Sequence, residues 1–395
     1  MLNSDLRDVN FAEQHIAVVF GTRPEAIKMA PLVHALRATS RFRVSVVVTA
    51  QHRHLLDQAM EVFEIQPDLD LNLMSKDQAL PALFSRALEG VAHALEALRP
   101  DLVLVHGDTS TTLAASMAAF YARIPVGHVE AGLRTGDLSR PWPEEANRKL
   151  TAGLAALHFA PTTAARDNLL AENVPANRIY VTGNTVIDAL QNIRSRIEAD
   201  SELRSSLSAR FDFLDSRKKL VLVTGHRREN FGTGLDELCR SIKQIALRDD
   251  VQIVFPVHPN PAVSVHVRQA LGDIEHVFLL DPQDYLPFVY LLARAHVVVS
   301  DSGGIQEEAP ALGKPLLVTR ERTERPEGIA CGTAMLVGTD SNRIIQECHR
   351  LLDDQEAHSA MSTAHNPYGD GRAAIAIVAA IEEFLGSAPQ TGHRA

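Results

Sequence analysis

Short apolar runs alternate with amphipathic stretches along most of the chain, and this alternation limits its possible folds more than any other feature. The runs at residues 43–50 and 101–107 carry apolar residues at consecutive positions, which indicates strands that are buried on both faces. Residues 24–38 space their apolar side chains at helical intervals and begin with a proline. This order of elements is typical of parallel sheets that are covered by helices.

The alternation occurs twice, on either side of residues 185–213, which we interpret as a long polar helix followed by a charged connection. The sequence therefore predicts an α/β protein of two doubly wound, Rossmann-like domains that face a cleft. We assign residues 1–185 and 186–372 to these domains, with a C-terminal helix in 373–395 packing back on the first. The length of 395 residues supports two domains, because single cores rarely grow past about 250–300 residues. The predicted strands are residues 15–21, 43–50, 101–107, 124–130, 157–161 and 178–183, then 218–225, 251–258, 276–281, 296–301 and 315–319.

Composition narrows the possible functions. The 39 Lys and Arg residues against 49 Asp and Glu residues give a formal net charge of −10, which argues against a broad basic surface for nucleic acid. No apolar run approaches the roughly 18 residues of a membrane span, and the first residues lack the apolar segment of a signal peptide. Cys239, Cys331 and Cys348 lie far apart and predict reduced thiols. We therefore expect a cytoplasmic protein without nucleic-acid or membrane partners.

The motifs of common cofactor sites are missing from the sequence. No G-x-G-x-x-G segment joins a predicted strand to a helix, so a nicotinamide or flavin dinucleotide site is poorly supported. Neither a P-loop nor an H-E-x-x-H segment occurs, and no cluster of His, Cys and Asp has metal-ligand spacing. The sequence therefore predicts neither a metal site nor a cofactor.

Polar residues follow the predicted strands of the first half, at the strand ends where open parallel sheets bind ligands. Arg23 and Lys28 lie at the start of the first helix, where two cations oppose the helix dipole and indicate a bound anion; a strand–helix turn with surface cations is the simpler interpretation. Asp108, Glu130 and Glu144 follow later strands or a proline-rich segment. Several carboxylates in one cleft suit acid–base catalysis, although Asp108 alone also fits a helix cap.

In the second half, the turn Ser302-Gly303-Gly304 between a strand and a helix lets main-chain amides approach a phosphate closely. Glu308, one turn inside that helix, suits the vicinal hydroxyls of a ribose, and Arg325 adds a cation. Together these residues predict a nucleotide site. His226, between a glycine and two arginines, indicates a loop that contacts an anion, with an exposed charged loop as the alternative.

A series of segments runs in order from residue 21 to about residue 371: GTRPEAIKMAPL, HGDTSTTLA, GHVEAGLRTGD, PWPEEANR, TGNTVIDAL, TGHRREN, DSGGIQEEAPALGKP, TERPE and AHNPYGDG. This series resembles the non-hydrolysing bacterial UDP-N-acetylglucosamine 2-epimerases. The resemblance implies a fold of the glycosyltransferase B type. It also implies reversible conversion of UDP-GlcNAc to UDP-ManNAc without a nicotinamide cofactor.

The resemblance also assigns roles to residues. It gives catalytic roles to Asp108, Glu130, Glu144 and His226, and contacts with the nucleotide sugar to Arg23, Lys28, Gln283, Phe288, Ser302, Gly303, Gly304, Glu308 and Arg325. Of these, Gln283 and Phe288 rest on the resemblance alone. It further implies a homodimer, a product used for cell-surface polysaccharide, and activation by UDP-GlcNAc at a second site that includes residues 50–53.

Inversion at C2 without an oxidant is consistent with elimination of UDP to a 2-acetamidoglucal and its re-addition. The sequence does not decide which carboxylate removes the proton and which delivers it. Four alternatives stay open: a retaining glycosyltransferase of the same architecture, an epimerase for a modified UDP-GlcNAc, a hydrolysing epimerase, and a nucleotide-sugar-binding regulator without turnover. The first would need an amphipathic, basic acceptor surface, which the N-terminal half lacks. The PWPEEANR and HGDTSTT segments favour the non-hydrolysing type, and a regulator has no use for three carboxylates and a histidine at strand ends.

Overall fold

The computed structural model describes residues 13–49, 53–73, 79–225 and 232–387. The chain divides into two compact units. The first runs to Val181 and also takes in the residues from Ala374 onward, and the second is Thr182–Ala373. None of the helices in the described residues has both the length and the apolar character of a membrane span.

The first unit is built on a parallel sheet whose described strands lie in the order β3-β2-β1-β4-β5-β6-β7. The strands are β1 Gln14–Phe20, β2 Phe42–Val48, β3 Leu69–Asp70, β4 Leu102–His106, β5 Val126–Val129, β6 Leu157–Ala160 and β7 Ile179–Val181. The helices are α1 Arg23–Arg37, α2 Arg53–Val62, α3 Leu80–Leu98, α4 Ser110–Tyr121, α5 Glu144–Leu154 and α6 Thr163–Ala171. Residues 16–20 of β1 are buried at every position, as a strand covered on both faces requires.

The sheet order brings three of the segments with predicted site residues to one edge. Strand β1 pairs in parallel with β4, and β4 pairs in parallel with β5. The carboxyl ends of these neighbouring strands therefore meet at the same edge of the sheet, where α1 and α4 begin and where residue 130 follows β5. This is the edge at which open parallel sheets bind ligands.

The second unit has its own parallel sheet, with described strands in the order β10-β9-β8-β11-β12-β13. Its helices and strands, in chain order, are α7 Thr185–Ala199, α8 Ser201–Arg210, β8 Lys219–Thr224, α9 Thr233–Ile245, β9 Val251–Pro256, α10 Pro261–Leu271, β10 Val277–Leu280, α11 Tyr285–Arg294, β11 Val297–Ser300, α12 Ile305–Ala311, β12 Leu316–Val318, α13 Pro326–Ala330, β13 Ala334–Leu336, α14 Ser341–Asp353 and α15 Gln355–Ser362. Apolar residues of β8, β9, α9 and α14 form its main core.

The last helix, α16 Ala373–Ser387, contributes most of its length to the first unit. Gln14 Nε2 donates to the Leu385 carbonyl at 3.2 Å, and Arg41 pairs with Glu382 at 3.6 Å. These contacts tie the end of the chain to the first strand of the sheet.

The predicted fold class is confirmed, because both sheets are parallel and carry helices on both sides. A helix begins at Thr185, as predicted, but it ends at Ala199, and residues 201–210 form a second helix where we predicted a charged connection. The helix breaks at Asp200, which is extended and whose carboxylate accepts from the amides of Glu202 and Leu203, so that it caps α8. Helix α7 also buries one face, including Ile187 and Leu190. The short strands β3 and β13 were not predicted.

Candidate active site

The turn between β1 and α1 is organised by Glu25, a carboxylate that is only 2% exposed. Its Oε2 accepts from the main-chain N–H groups of Gly21 and Thr22 at 3.0 and 2.7 Å, and its Oε1 accepts from Thr109 Oγ1 at 2.6 Å. Burial raises the pKa of Glu25, and these hydrogen bonds oppose the rise. Two amides that the sequence offered to an anion are therefore already occupied, and Glu25 joins this turn to the start of α4.

Lys28 and Glu130 form a buried ion pair at the sheet edge. The ammonium of Lys28, on the second turn of α1, donates to Glu130 Oε2. Glu130 follows β5 with φ of +62°, a left-handed conformation that non-glycine residues adopt rarely and that is enriched at functional sites. The structure thus brings together a predicted substrate contact and a predicted catalytic carboxylate.

Asp108 is held by two residues of α5, the helix that follows the only tryptophan of the chain. Arg148 Nη2 donates to Asp108 Oδ2, and Asn147 Nδ2 donates to the Asp108 carbonyl at 2.9 Å. Arg148 also pairs through Nη1 with Glu145 Oε2 at 3.1 Å. Both cation-bound carboxylates, Asp108 and Glu130, lie at neighbouring strand ends.

Glu144 is placed differently from the other two predicted carboxylates. It begins α5 and is half-buried, and no residue in the described ranges forms a hydrogen bond or ion pair with its carboxylate. The next residue, Glu145, is fully buried and accepts from the amides of Thr135 and Gly136 at 3.1 Å each. The structure therefore does not join Glu144 to Asp108 or Glu130, whereas Glu145 reaches Asp108 through Arg148.

Three buried histidines lie on the strands behind these carboxylates. His106 ends β4, with its Nε2 3.9 Å from Glu130 Oε2. His128 in β5 bonds the carbonyl of Gly107 at 2.7 Å, and His158 is its register partner in β6. Burial lowers the pKa of His106 and His158 to about 4 and that of His128 to about 3. All three rings are therefore neutral near pH 7, and His128 donates to Gly107 because a carbonyl only accepts.

In the second unit, the turn after β11 packs against Arg325. A Cβ atom on Gly303 would lie 2.9 Å from Arg325 Nη1, so a larger residue here would displace the guanidinium. Arg325 Nε donates to Glu307 Oε1 at 2.5 Å, and its Nη1 donates to Glu324 Oε1 at 3.0 Å. The predicted phosphate-binding turn and the predicted cation are adjacent, and the cation is held by two carboxylates.

Glu308 is held in place by a tyrosine that the sequence analysis did not identify. Tyr285 at the start of α11 donates its hydroxyl to Glu308 Oε1 at 2.9 Å, and both side chains are buried. Ser302 lies in the same turn, where its amide donates to Ser300 Oγ at 3.0 Å. The predicted members of the nucleotide site, Ser302, Gly303, Gly304, Glu308 and Arg325, therefore share one strand–helix turn and its neighbours.

The remaining predicted residues are half-buried, lie outside the described residues or form a surface ion pair. Gln283 is half-buried and contacts Arg210 Nη2 at 2.8 Å, and Phe288 is half-buried on α11. Arg23 is half-buried at the start of α1. His226 lies outside the described residues, as do residues 50–52 of the predicted regulatory segment. Arg53, which begins α2, pairs with Asp57 at 2.9 Å.

Glu25, Glu145, Arg148 and Tyr285 were missed by the sequence analysis. For Glu25 a signal was available, because Thr22 and Glu25 have the spacing of a capping box. The other three depend on contacts between distant segments, which spacing does not reveal. No group of three or more His, Cys, Asp or Glu side chains in the described ranges is arranged to hold a metal ion.

Two parallel sheets with helices on both sides define an α/β protein of the glycosyltransferase B type. A glycosyltransferase from Rickettsia africae shares this fold with a TM-score of 0.61 at 12% identity, covering 96% of this chain and 100% of that chain. At this identity the likeness concerns the fold alone.

Closer relatives identify the family. A family model described as UDP-N-acetylglucosamine 2-epimerase matches residues 34–382. The UDP-N-acetylglucosamine 2-epimerase of Escherichia coli K12 is 58% identical over 368 residues, which are 93% of this chain and 98% of that protein. The crystal structure of UDP-GlcNAc 2-epimerase from Neisseria meningitidis bound to UDP-GlcNAc is 46% identical, with a TM-score of 0.89 and coverage of 94% of this chain and 100% of that one. The chain belongs to the UDP-N-acetylglucosamine 2-epimerase family, which confirms the resemblance found in its motifs.

Proposed function

We propose that this chain interconverts UDP-GlcNAc and UDP-ManNAc by inverting C2 of the sugar, without hydrolysis and without a nicotinamide cofactor. Family membership supports the substrate and the reaction. The observation that carries the proposal is the pair of cation-bound carboxylates, Glu130 with Lys28 and Asp108 with Arg148, at neighbouring strand ends of the first unit.

The proposed route is elimination followed by addition. A carboxylate removes the proton from C2, the electrons of that C–H bond form the C1–C2 double bond, and the C1–O bond breaks with its electrons leaving on UDP. Re-addition of UDP with delivery of a proton to the opposite face of C2 gives the epimer. Two faces require more than one acid–base group, and the arrangement of Asp108 and Glu130 supports this demand.

We assign recognition of the nucleotide to the second unit. The turn of Ser302, Gly303 and Gly304 with Arg325 suits the diphosphate, because main-chain amides and a guanidinium stabilise the negative charge of departing UDP. Glu308, oriented by Tyr285, suits the ribose hydroxyls. The proposed contacts of Gln283 and Phe288 rest on the family resemblance, and Arg23 supplies a further cation near the first-unit carboxylates.

We also propose catalytic roles for Glu144 and His226. Glu144 begins a helix and is half-buried, so it is accessible for proton transfer to a substrate. His226 follows the C-terminal end of β8 in sequence.

Further proposals concern the oligomeric state of the enzyme, the use of its product, its regulation and its location. We propose a homodimer that supplies ManNAc-type sugars for cell-surface polysaccharide and that UDP-GlcNAc activates through the segment at residues 50–53. The three cysteines are free thiols, which supports a reducing, cytoplasmic location. Sedimentation velocity measures the oligomeric state, and a sigmoidal dependence of rate on UDP-GlcNAc concentration reports the activation.

A single assay tests the proposed reaction. Purified protein is mixed with UDP-GlcNAc without NAD, and the sugar nucleotides are followed by proton NMR. We expect UDP-ManNAc to accumulate to an equilibrium that is also reached from UDP-ManNAc. Free ManNAc with UDP would identify a hydrolysing enzyme instead, and no change in either direction would refute the proposal.

A further inference from the structure

His106 is a buried imidazole to which the proposed reaction gives no task. It ends β4 and is 3% exposed. Its Nε2 lies 3.9 Å from Glu130 Oε2, the same oxygen that accepts from Lys28. Within the described part of the chain this nitrogen has no hydrogen-bond partner. Buried polar atoms without a partner are uncommon, so this one indicates a hydrogen bond that forms at another stage of the reaction.

The protonation state of the ring decides what Nε2 can do. Burial lowers the pKa of His106 to about 4, so the imidazole is neutral near pH 7. A neutral imidazole has one nitrogen that donates and one that accepts. The tautomer with its hydrogen on Nδ1 leaves Nε2, 3.9 Å from Glu130 Oε2, as the acceptor.

The two neighbours of Glu130 Oε2 favour opposite protonation states. The ammonium of Lys28 only donates, so it stabilises the carboxylate. Once Glu130 has taken a proton, its O–H group needs an acceptor, which Lys28 cannot provide. His106 Nε2 lies 3.9 Å from this oxygen and can supply the lone pair, and catalytic hydrogen bonds are often long in unliganded enzymes and shorten during the reaction.

We propose that His106 is a positioning residue for Glu130, accepting through Nε2 the hydrogen bond of the protonated carboxyl group. The inference rests on the proposed function and assigns to Glu130 the proton removed from C2. In that step the C2–H bond breaks, an O–H bond forms on Glu130, and the C1–O bond breaks with its electrons leaving on UDP. His106 itself neither gains nor loses a proton.

The charged and titratable groups around His106 and Glu130 come from several elements. Lys28 faces them from α1, Asp108 from the turn after β4, and His128 from β5. All three stay in place when His106 is replaced. A change in the titration of Glu130 then reports the lost acceptor.

The test compares His106→Met, which lacks a comparable acceptor, with His106→Gln, whose amide oxygen accepts. His158→Leu is the matched control, because it removes a buried imidazole two strands away. The measurements are kcat and KM for UDP-GlcNAc, the pH dependence of kcat, and a ¹³C NMR titration of the Glu130 carboxyl in the unliganded enzyme. The signal is assigned by its loss in Glu130→Gln.

We expect His106→Met to lower kcat about 10–100-fold, the range for an unsatisfied buried hydrogen bond, with KM changed less than about twofold. Without the acceptor the acid form of Glu130 is less stable, so Glu130 titrates at lower pH and the acid limb of kcat moves down by about one unit. His106→Gln should restore most of the rate and the titration. His158→Leu should leave both unchanged.

Two results would overturn the inference. One is an unmoved Glu130 titration in His106→Met. The other is an equal loss of rate in the Met and Gln variants with the same drop in melting temperature as His158→Leu, which indicates a packing role. If His106→Met does not fold, His106→Leu replaces it. A wild-type enzyme that makes no UDP-ManNAc refutes the proposed function, whereas the titration still decides whether His106 accepts from Glu130.

Discussion

The strand-end sites of the two units use opposite arrangements of charge. In the first unit, carboxylates are held by cations: Lys28 holds Glu130, and Arg148 holds Asp108. In the second unit, the cation Arg325 is held by the carboxylates of Glu307 and Glu324. Ion pairs fix the positions of these side chains. A carboxylate with a fixed position is suited to proton transfer, and a guanidinium with a fixed position is suited to phosphate binding.

This difference suggests that the first unit carries out the chemical step and the second unit binds the nucleotide. Changes in the first unit should reduce the chemical step and spare binding, whereas changes in the second should weaken binding of UDP and of UDP-sugars. The two kinds of change are separated by measuring kcat together with the affinity for UDP.

The largest effect is expected from Glu130→Gln. Removing a positioned acid–base group costs about 10²–10⁴-fold in kcat, and the affinity for UDP should stay within about threefold because we assign the nucleotide to the second unit. Steady-state kinetics and calorimetry with UDP measure the two quantities. Glu172→Gln is the matched control, since Glu172 also pairs with a cation, Arg134, in the first unit. A Glu130→Gln enzyme with wild-type kcat would contradict the proposed role of the first unit in the chemical step.

Arg325→Lys should act mainly on binding. Lysine keeps the charge but loses the planar fork of donors, and a hydrogen bond to a charged group is worth about 1.5–3 kcal/mol. We expect the affinity for UDP to fall about 10–100-fold, as measured by calorimetry. Arg268→Lys is the control, because Arg268 forms a surface pair with Asp281 in the same unit. A fall in kcat with unchanged UDP affinity would contradict the assigned role.

The buried histidines make the first unit sensitive to acid. The pKa of His158 is lowered to about 4 by burial, while the unfolded chain binds this proton near pH 6.5. The unfolded state therefore gains protons first as pH falls, and stability is lost between about pH 6.5 and pH 4. At pH 5 the loss is about 2 kcal/mol for this residue.

Urea unfolding at pH 7 and pH 5, followed by the fluorescence of Trp142, measures this effect in the wild type and in His158→Leu. Trp142 lies in the first unit, so its fluorescence reports that unit. The variant should lose about 2 kcal/mol less stability on acidification than the wild type. Equal losses in both would show that His158 is not buried in its neutral form.

The smallest effect is expected from Tyr285→Phe. The hydroxyl of Tyr285 donates to Glu308, and one such hydrogen bond contributes about 0.5–1.5 kcal/mol. We expect the affinity for UDP to fall about 3–10-fold and kcat to change little. Tyr290→Phe in the same helix is the control, because the Tyr290 ring stacks on Phe211 and its replacement keeps that contact. A drop in kcat alone would place Tyr285 in the chemical step.

The sequence predicted the parts of the fold that depend on local pattern. Consecutive apolar residues identified β1, β2 and β4, and the restart of the alternation identified the second sheet. The break at Asp200 was not predicted, because a polar residue inside a polar stretch is compatible with both a cap and a helix interior. Strands β3 and β13 are too short to show a period.

For the candidate site, sequence reasoning pointed to residues at strand ends but could not identify the pairs that they form. Lys28 and Glu130 are 102 residues apart in sequence, so their contact follows only from the sheet order. Whether Glu144 or Glu145 pairs with Arg148 depends on the rotational phase of α5. Two adjacent glutamates in a sequence do not reveal that phase. Tyr285 and Glu308 meet through one hydrogen bond between residues 23 positions apart, for which neither segment carries a local signal.

Proton exchange at C2 is the central claim, and one measurement tests it most directly. The enzyme is incubated with UDP-GlcNAc in D₂O, and deuterium at C2 of both sugar nucleotides is measured by NMR over many turnovers. The account predicts that UDP-ManNAc and, with time, UDP-GlcNAc acquire deuterium at C2. UDP-ManNAc that forms and re-forms while keeping its original hydrogen at C2 would contradict the account.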